Sequence, residues 1–127
     1  MYPESKLALF ARNYAQAGGR RKFTDHLSCA YGRIAIKESL RQNVVSFSHD
    51  LASDHALGEM QVVMCRNVLI YFAPALRDRA LSVLEKSVAR GGFLCLGASE
   101  RLASQQLRSG FSPLRGFTST YRMGIPA

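Results

Sequence analysis

The sequence predicts an α/β fold with a parallel sheet at its centre, on three observations. An apolar run at Gln61–Met64, an amphipathic stretch at Pro74–Arg90 and a second apolar run at Phe93–Leu96 follow one another as strand, helix and strand. That succession is a βαβ crossover, which should be right-handed. Polar residues gather where the strands end: His49-Asp50, Arg66-Asn67 with Tyr71, and Ser99-Glu100. In open α/β sheets ligands bind outside the carboxyl ends of the strands. Finally, Phe117, Ser119, Tyr121 and Met123 alternate with Thr118, Thr120 and Arg122, the pattern of an antiparallel closing strand near a sheet edge.

The chain opens with a predicted helix, Ser5–Ala17, whose Leu7, Phe10, Ala11 and Tyr14 recur at helical spacing. Gly18-Gly19 stops it, and the face should cover a sheet. Arg20-Arg21-Lys22 follows, where cations suit a helix C-terminus and can also meet an acidic partner. Phe23–Gln42 is mixed, with a short extended piece at Tyr31–Ile36 and a helical turn at Lys37–Gln42. Asn43–Ser48, β-branched and aromatic, predicts a strand running into a polar loop at His49–His55.

The pivotal stretch is Gln61–Phe72. Its first apolar run leads into Arg66 and Asn67, and a second ends in Tyr71-Phe72. A buried guanidinium without partners is costly, so the expectation is a buried strand whose C-terminal end opens onto a ligand. Pro74 suits the first position of the next helix. Leu76, Ala80, Leu84 and Val88, with Leu81 beside them, form its apolar row, and Gly91-Gly92 should end it. Phe93–Leu96 should be buried on both faces. Gly97–Glu100 turns the chain away, Arg101–Gly110 is polar and helical at its start, and Phe111 and Phe117–Met123 form one or two closing strands.

The 127 residues are one domain's worth of chain or part of a larger domain, and the 47% apolar content is that of a globular protein. Seventeen Lys and Arg against nine Asp and Glu favour an acidic partner. No zinc-finger spacing or recognition-helix motif accompanies the charge, so nucleic acid is not the expected one. Cys29, Cys65 and Cys95 form no Cys-x-x-Cys pair, which is cytosolic usage. No leader-like segment or apolar run of about 18 residues is present, so a cytoplasmic protein without membrane insertion is expected. His49, Asp50, Asp54 and His55 match no ligand spacing, and no metal is expected. Gly-x-Ser-x-Gly, Gly-x-x-x-x-Gly-Lys and Gly-x-Gly-x-x-Gly are all missing, so hydrolase, P-loop and dinucleotide readings lack their key residues.

Cys65–Phe72, Gly91–Glu100 and the terminal Thr120-Tyr121-Arg122 closely resemble the CheR family. These are S-adenosylmethionine-dependent methyltransferases that esterify glutamate side chains of chemotaxis receptors. The first motif is long and distinctive, and the resemblance extends upstream through Asn13-Tyr14, Ala17–Gly19 and Val45–Leu51. It implies that Asp50 and Leu51 lie against the adenosine part of the cofactor, where the family usually has Asn-Leu. It also implies that Cys65, Arg66 and Asn67 line the cofactor site, and that Arg66 and Tyr71 hold the substrate carboxylate. The departure at Asp50 matters because a carboxylate accepts but cannot donate as an amide does. Ala73 stands where the family often carries Asp or Asn at a helix N-cap.

The resemblance further implies a partial Rossmann-like methyltransferase sheet: residues 1–127 as the C-terminal portion of the catalytic domain. The first two core strands, with their glycine-rich turn, and the N-terminal helical region are not among these residues. In the family strand order 3-2-1-4-5-7-6, with its last strand antiparallel, the strands at Val44–Phe47 and Gln61–Met64 would then lack their shared neighbours. Unpaired edges of that kind invite self-association. The expected function is S-adenosylmethionine-dependent methyl transfer to glutamates of an acidic, chemoreceptor-like protein, impaired in this chain. The alternative is a non-catalytic interaction module docking on an acidic partner through its basic surface.

Overall fold

Gly18-Gly19 stops the first helix as its sequence demands. Helix α1 (Leu7–Gln16) ends with Gly18 at φ +89°, Gly19 N–H donating to Tyr14 O and Gly18 N–H to Ala15 O, a Schellman closure. The computed structural model describes residues 1–102, 107 and 110–124. The chain divides into two units, Met1–Phe47 and Ser48–Ala127.

In the first unit a three-stranded antiparallel sheet has the order β1 (Tyr2–Pro3), β3 (Arg33–Ile36), β2 (Leu27–Ala30). Ala30 pairs with Arg33, leaving Tyr31-Gly32 as a two-residue turn. Both turn residues have positive φ, +52° and +69°, the backbone that matches the twist of the flanking strands. The expected extended piece at Tyr31–Ile36 is thus one arm of a hairpin. On α1 the four residues of the predicted apolar face, Leu7, Phe10, Ala11 and Tyr14, are the half-buried ones. Tyr14 packs on Phe23 and His26, and its hydroxyl lies 3.1 Å from His26 Nε2. Short helix α2 (Glu38–Arg41) follows β3 as expected.

The predicted strand at Asn43–Ser48 does not form. Val44, Val45 and Phe47 are 66%, 81% and 59% exposed. Strand propensity expresses itself only where a neighbouring strand accepts the ladder and a core accepts the side chains, and among the described residues neither meets this segment.

The second unit is the predicted α/β core. Strand β4 (Met60–Cys65) leads through a short turn into helix α3 (Pro74–Ser87), then into β5 (Val88–Leu96) parallel to β4. Strands β6 (Phe111–Pro113) and β7 (Thr120–Met123) complete a sheet of order β4-β5-β7-β6, with β7 antiparallel to both neighbours. The closing strand is shorter than the expected Phe117–Met123: Ser119, Tyr121 and Met123 are buried as the alternation predicts, but Phe117 lies before the strand and is 65% exposed. Strand β7 lies one strand in from the edge, which β6 forms. Leu81, Leu84, Val88, Leu94, Leu96 and Phe111 make the centre of the core. The helical start expected from Arg101 falls on residues 103–106 and 108–109, outside the described residues.

Gly91-Gly92 does something other than end the helix. The helix stops at Ser87, and β5 has already paired Val88 with Met60. The next pair in register is Val62 with Phe93, so the extra residues of β5 are looped out as a bulge. Gly91 there has φ +77°. A Cβ on Gly92 would stand 2.8 Å from the carbonyl oxygens of both Ala89 and Gln61, so only glycine fits.

Strand β4 corrects a further expectation. It lies at the edge of the sheet, and only one face is covered: Cys65 is buried, whereas Val62 and Met64 are 55% and 68% exposed. On β5, Leu94 and Leu96 are buried while Phe93 and Cys95 are half-buried, because Arg122 lies over Phe93 at 5.8 Å instead of a covering helix.

Candidate functional site

The site grows from the carboxyl end of β4. Cys65 turns its thiol into the core, where burial, aided by the negative charge of Glu100, raises its pKa. The chain then breaks from the strand at Arg66-Asn67. Asn67 adopts φ +59°, a left-handed conformation that asparagine tolerates better than most residues. A single 3-10 turn, Leu69–Tyr71, follows, with Leu69 fully buried beneath it.

Glu100 holds this turn. Its side chain is 1% exposed, and its carboxylate accepts five backbone N–H groups. Oε2 takes Gly97 at 2.6 Å and Asn67 at 3.0 Å, and Oε1 takes Val68 at 3.2 Å, Leu69 at 2.9 Å and Ile70 at 3.3 Å. Burial by itself would raise the pKa of such an acid. The N–H donors of Gly97, Asn67, Ile70 and Leu69 outweigh it and hold the pKa below the ordinary carboxyl value. Gly97 has no room for a Cβ, which would meet Asn67 Oδ1 and, at 2.8 Å, Glu100 Oε2. Arg101 closes the back of the loop, donating to Ala98 O at 2.6 Å, Glu100 O at 2.8 Å and the Ser119 hydroxyl.

Arg66 and Tyr71, the expected carboxylate-holding pair, flank the Glu100-bound turn and are both exposed, Tyr71 to 80%. The guanidinium is therefore not buried; it stands at the end of an edge strand. Among the described residues Arg66 has no side-chain hydrogen-bond partner. It lines a pocket of about 220 Å³ at the carboxyl ends of β4 and β5, with Met64, Cys95, Ala98, Thr118 and Thr120.

Asp50 and Leu51 lie in a separate loop. The Asp50 carboxylate accepts from Ala52 N–H at 2.8 Å and Ser53 Oγ–H at 3.1 Å, capping its own turn. Asp50 N–H donates to Asp54 at 2.7 Å and lowers the Asp54 pKa. Arg79 of α3 ties the loop down through the carbonyls of Ala52 and Ser53, and Leu51 packs against the core. His49 Nε2 lies 2.9 Å from the His55 carbonyl. Among the described residues no group of three or more His, Cys, Asp or Glu side chains is placed to hold a metal ion.

The residue that sequence reasoning under-used is Glu100. It stood out only as part of a polar strand end, and Gly97-x-x-Glu100 after an apolar strand was the available signal.

Sheet order β4-β5-β7-β6, a crossover helix and polar turns at the strand ends define the class: the C-terminal half of a Rossmann-like methyltransferase fold. The family model for the CheR methyltransferase, SAM binding domain, matches residues 2–116, and the chain belongs to that family. A Pseudomonas putida protein that carries the methyltransferase name Cher3 is 41% identical over 114 residues, 90% of this chain and 42% of that protein. An uncharacterized 104.1 kDa protein of Rhodobacter capsulatus is 42% identical over 83 residues, 65% of this chain and 8% of that protein. The chemotaxis protein methyltransferase of Vibrio anguillarum is 40% identical over 72 residues, 56% of this chain and 26% of that protein. The chain thus spans less than half the length of these relatives. No helix among the described residues is long and apolar enough to cross a membrane.

Proposed function

We propose that residues 1–127 supply the C-terminal portion of a methyltransferase domain that transfers a methyl group from S-adenosylmethionine to glutamate carboxylates of chemoreceptor-like, acidic proteins. The observation that carries this reading is Arg66, exposed at the carboxyl end of β4, lining a pocket and held on a turn that Glu100 fixes.

A glutamate carboxylate is ionised near neutral pH, so it needs no general base to act as nucleophile. What the protein must provide is position, with nucleophile, methyl and leaving group in line. A guanidinium fork suits that task, binding both carboxylate oxygens, and the Tyr71 hydroxyl can donate to one of them. Thr118 and Thr120 offer further hydroxyls on the pocket wall.

S-adenosylmethionine, when bound, supplies a methyl group activated by its sulfonium. At about 220 Å³ the pocket admits a glutamate side chain, whereas pockets for small-molecule ligands start near 300 Å³. The Asp50 carboxylate accepts from Ala52 N–H and Ser53 Oγ–H within its own turn. The residues present therefore do not fit the whole cofactor, and the isolated chain is expected to bind S-adenosylhomocysteine weakly and to be inactive. Tight binding of that product in calorimetry would overturn the expectation of impairment.

The activity is tested by fusing the N-terminal segment of the Pseudomonas relative ahead of this chain and measuring base-labile transfer of labelled methyl to a chemoreceptor fragment. Transfer should appear, and Arg66→Ala should lower it by about 10- to 100-fold, the loss of hydrogen bonds to a charged group. A fusion that binds S-adenosylhomocysteine yet methylates no glutamate would sink the reading.

A second reading, a non-catalytic module for an acidic partner, rests on the exposed run Arg20-Arg21-Lys22. It predicts partner binding without cofactor, lost when these three are neutralised. In either reading the outer edge of β4, unpaired among the described residues, offers a further contact to another strand, including one from a second copy.

A further inference from the structure

We propose that Glu100 is a positioning residue for the methyl-accepting carboxylate, acting through the turn that presents Arg66 and Tyr71; this rests on the carboxylate-receiving role given to Arg66.

The first ground is how the charge is satisfied. A buried carboxylate ordinarily recruits a cation. Here Arg66 follows the end of the neighbouring strand β4, and Arg101 is adjacent in sequence. Among the described residues neither bonds the Glu100 carboxylate: Arg101 directs its Nη1 to Ala98 O, Glu100 O and the Ser119 hydroxyl. Five backbone N–H groups neutralise the charge instead. The consequence is chemical. Arg66 keeps its positive charge for an incoming acid and is not consumed by an internal ion pair.

The second ground is which groups are held. Asn67 N–H belongs to the peptide that begins at the Arg66 carbonyl, so its bond to Oε2 fixes the orientation of that peptide plane. Val68, Leu69 and Ile70 N–H converge on Oε1 and freeze the three residues before Tyr71. Gly97 N–H, also on Oε2, locks the same carboxylate to the loop after β5, whose Ala98 shares the pocket wall with Arg66. A tie serving stability alone would need to join the loops at one point. This one fixes every peptide from Arg66-Asn67 to Leu69-Ile70.

Glutamine is the discriminating replacement. Its amide has the shape of the carboxylate but one acceptor oxygen, and its NH₂ would face N–H donors. Two readouts are needed on the chain itself. Amide hydrogen exchange at Asn67, Val68, Leu69, Ile70 and Gly97 reports the clamp. NMR titration with a blocked glutamate (N-acetyl, C-amide), whose only carboxylate is the side chain, reports the receiving site. Glu100→Gln should lose about tenfold or more of the exchange protection at these amides, and about tenfold of the affinity for the blocked glutamate. Arg66→Ala should lose the affinity and keep the protection. Leu94→Ala, which damages the core, should lower protection throughout the unit and leave the affinity of the folded protein unchanged.

Loss of protection in Glu100→Gln with unchanged affinity overturns the positioning role and leaves the role of Arg66 standing. No binding of the blocked glutamate by the unaltered chain removes the role of Arg66 itself. If Glu100→Gln does not fold, Glu100→Asp, charged but one methylene short of the N–H cluster, is read in the same way.

Discussion

The two units of this chain are built on different physics. Residues 48–127 bury a continuous core from helix α3 and all four strands of their sheet. Residues 1–47 bury only Leu27 and Ile34 among their apolar side chains. They rely on a Schellman stop, a two-residue hairpin turn and aromatic contacts around Tyr14. Each unit carries a basic or polar surface, but only the second places polar groups at the carboxyl ends of parallel strands. A packed core is what allows the second unit to hold the Glu100 carboxylate buried against the turn that begins next to the exposed Arg66.

Core substitutions separate the units most strongly. Leu94 is fully buried at the centre of β5, and Leu94→Ala should cost about 2–5 kcal/mol, read as a fall in the urea midpoint of the second unit. Ile34→Ala, by contrast, should unfold the hairpin sheet while the NMR signals of residues 48–124 persist. Simultaneous loss of both sets of signals in either variant would show that the units are one cooperative body.

Acid should break the second unit first. The folded Glu100 pKa lies below its ordinary value of 4.5, so the clamp's contribution is fully present above that value. It is lost as pH falls through the depressed folded value, when protonation puts a donor among five N–H donors. Circular dichroism from pH 6 to pH 2 should show this step, and Glu100→Gln should remove it. The first unit has no comparable buried acid among its described residues.

A smaller loss is expected at the bulge. Gly92→Ala sets a Cβ against two backbone carbonyls at 2.8 Å and should cost about 1–3 kcal/mol by overpacking. Its proper comparison is Gly18→Ala, which meets no neighbouring atom but keeps a strained φ of +89°. The smallest change is a gain. Ala73 caps α3 without a side-chain hydrogen bond, and Ala73→Asp should stabilise the second unit by about 0.5–2 kcal/mol, seen as a higher melting temperature.

Much of the second unit was legible beforehand. Hydrophobic periodicity placed α3, the crossover and the alternation of the closing strand from Ser119 onward, and the Cys65–Phe72 motif pointed to the family. The Asn43–Ser48 strand was misread because strand propensity says nothing about whether a neighbour exists to pair with. The helix ends at Ser87, three residues before the expected Arg90, since two adjacent glycines serve equally as a helix stop and as a strand bulge. The strand leading to Arg66 is expected to be buried because its residues are apolar; the edge position of β4 leaves one of its faces open.

Local pattern by itself determined helices α1 and α3, the crossover between β4 and β5 and the two-glycine stop of α1, because helix and strand periods, caps and turn residues act over a few neighbours along the chain. The sequence also supplied the polar cluster at each strand end. What only the tertiary structure decided was the use of those clusters: Asp50 turned in on its own loop, Arg66 left exposed, and Glu100 buried as the shared acceptor of two loops. Those outcomes depend on which N–H groups lie within about 3 Å of which oxygens, and residues thirty positions apart meet at that distance only after the sheet has formed.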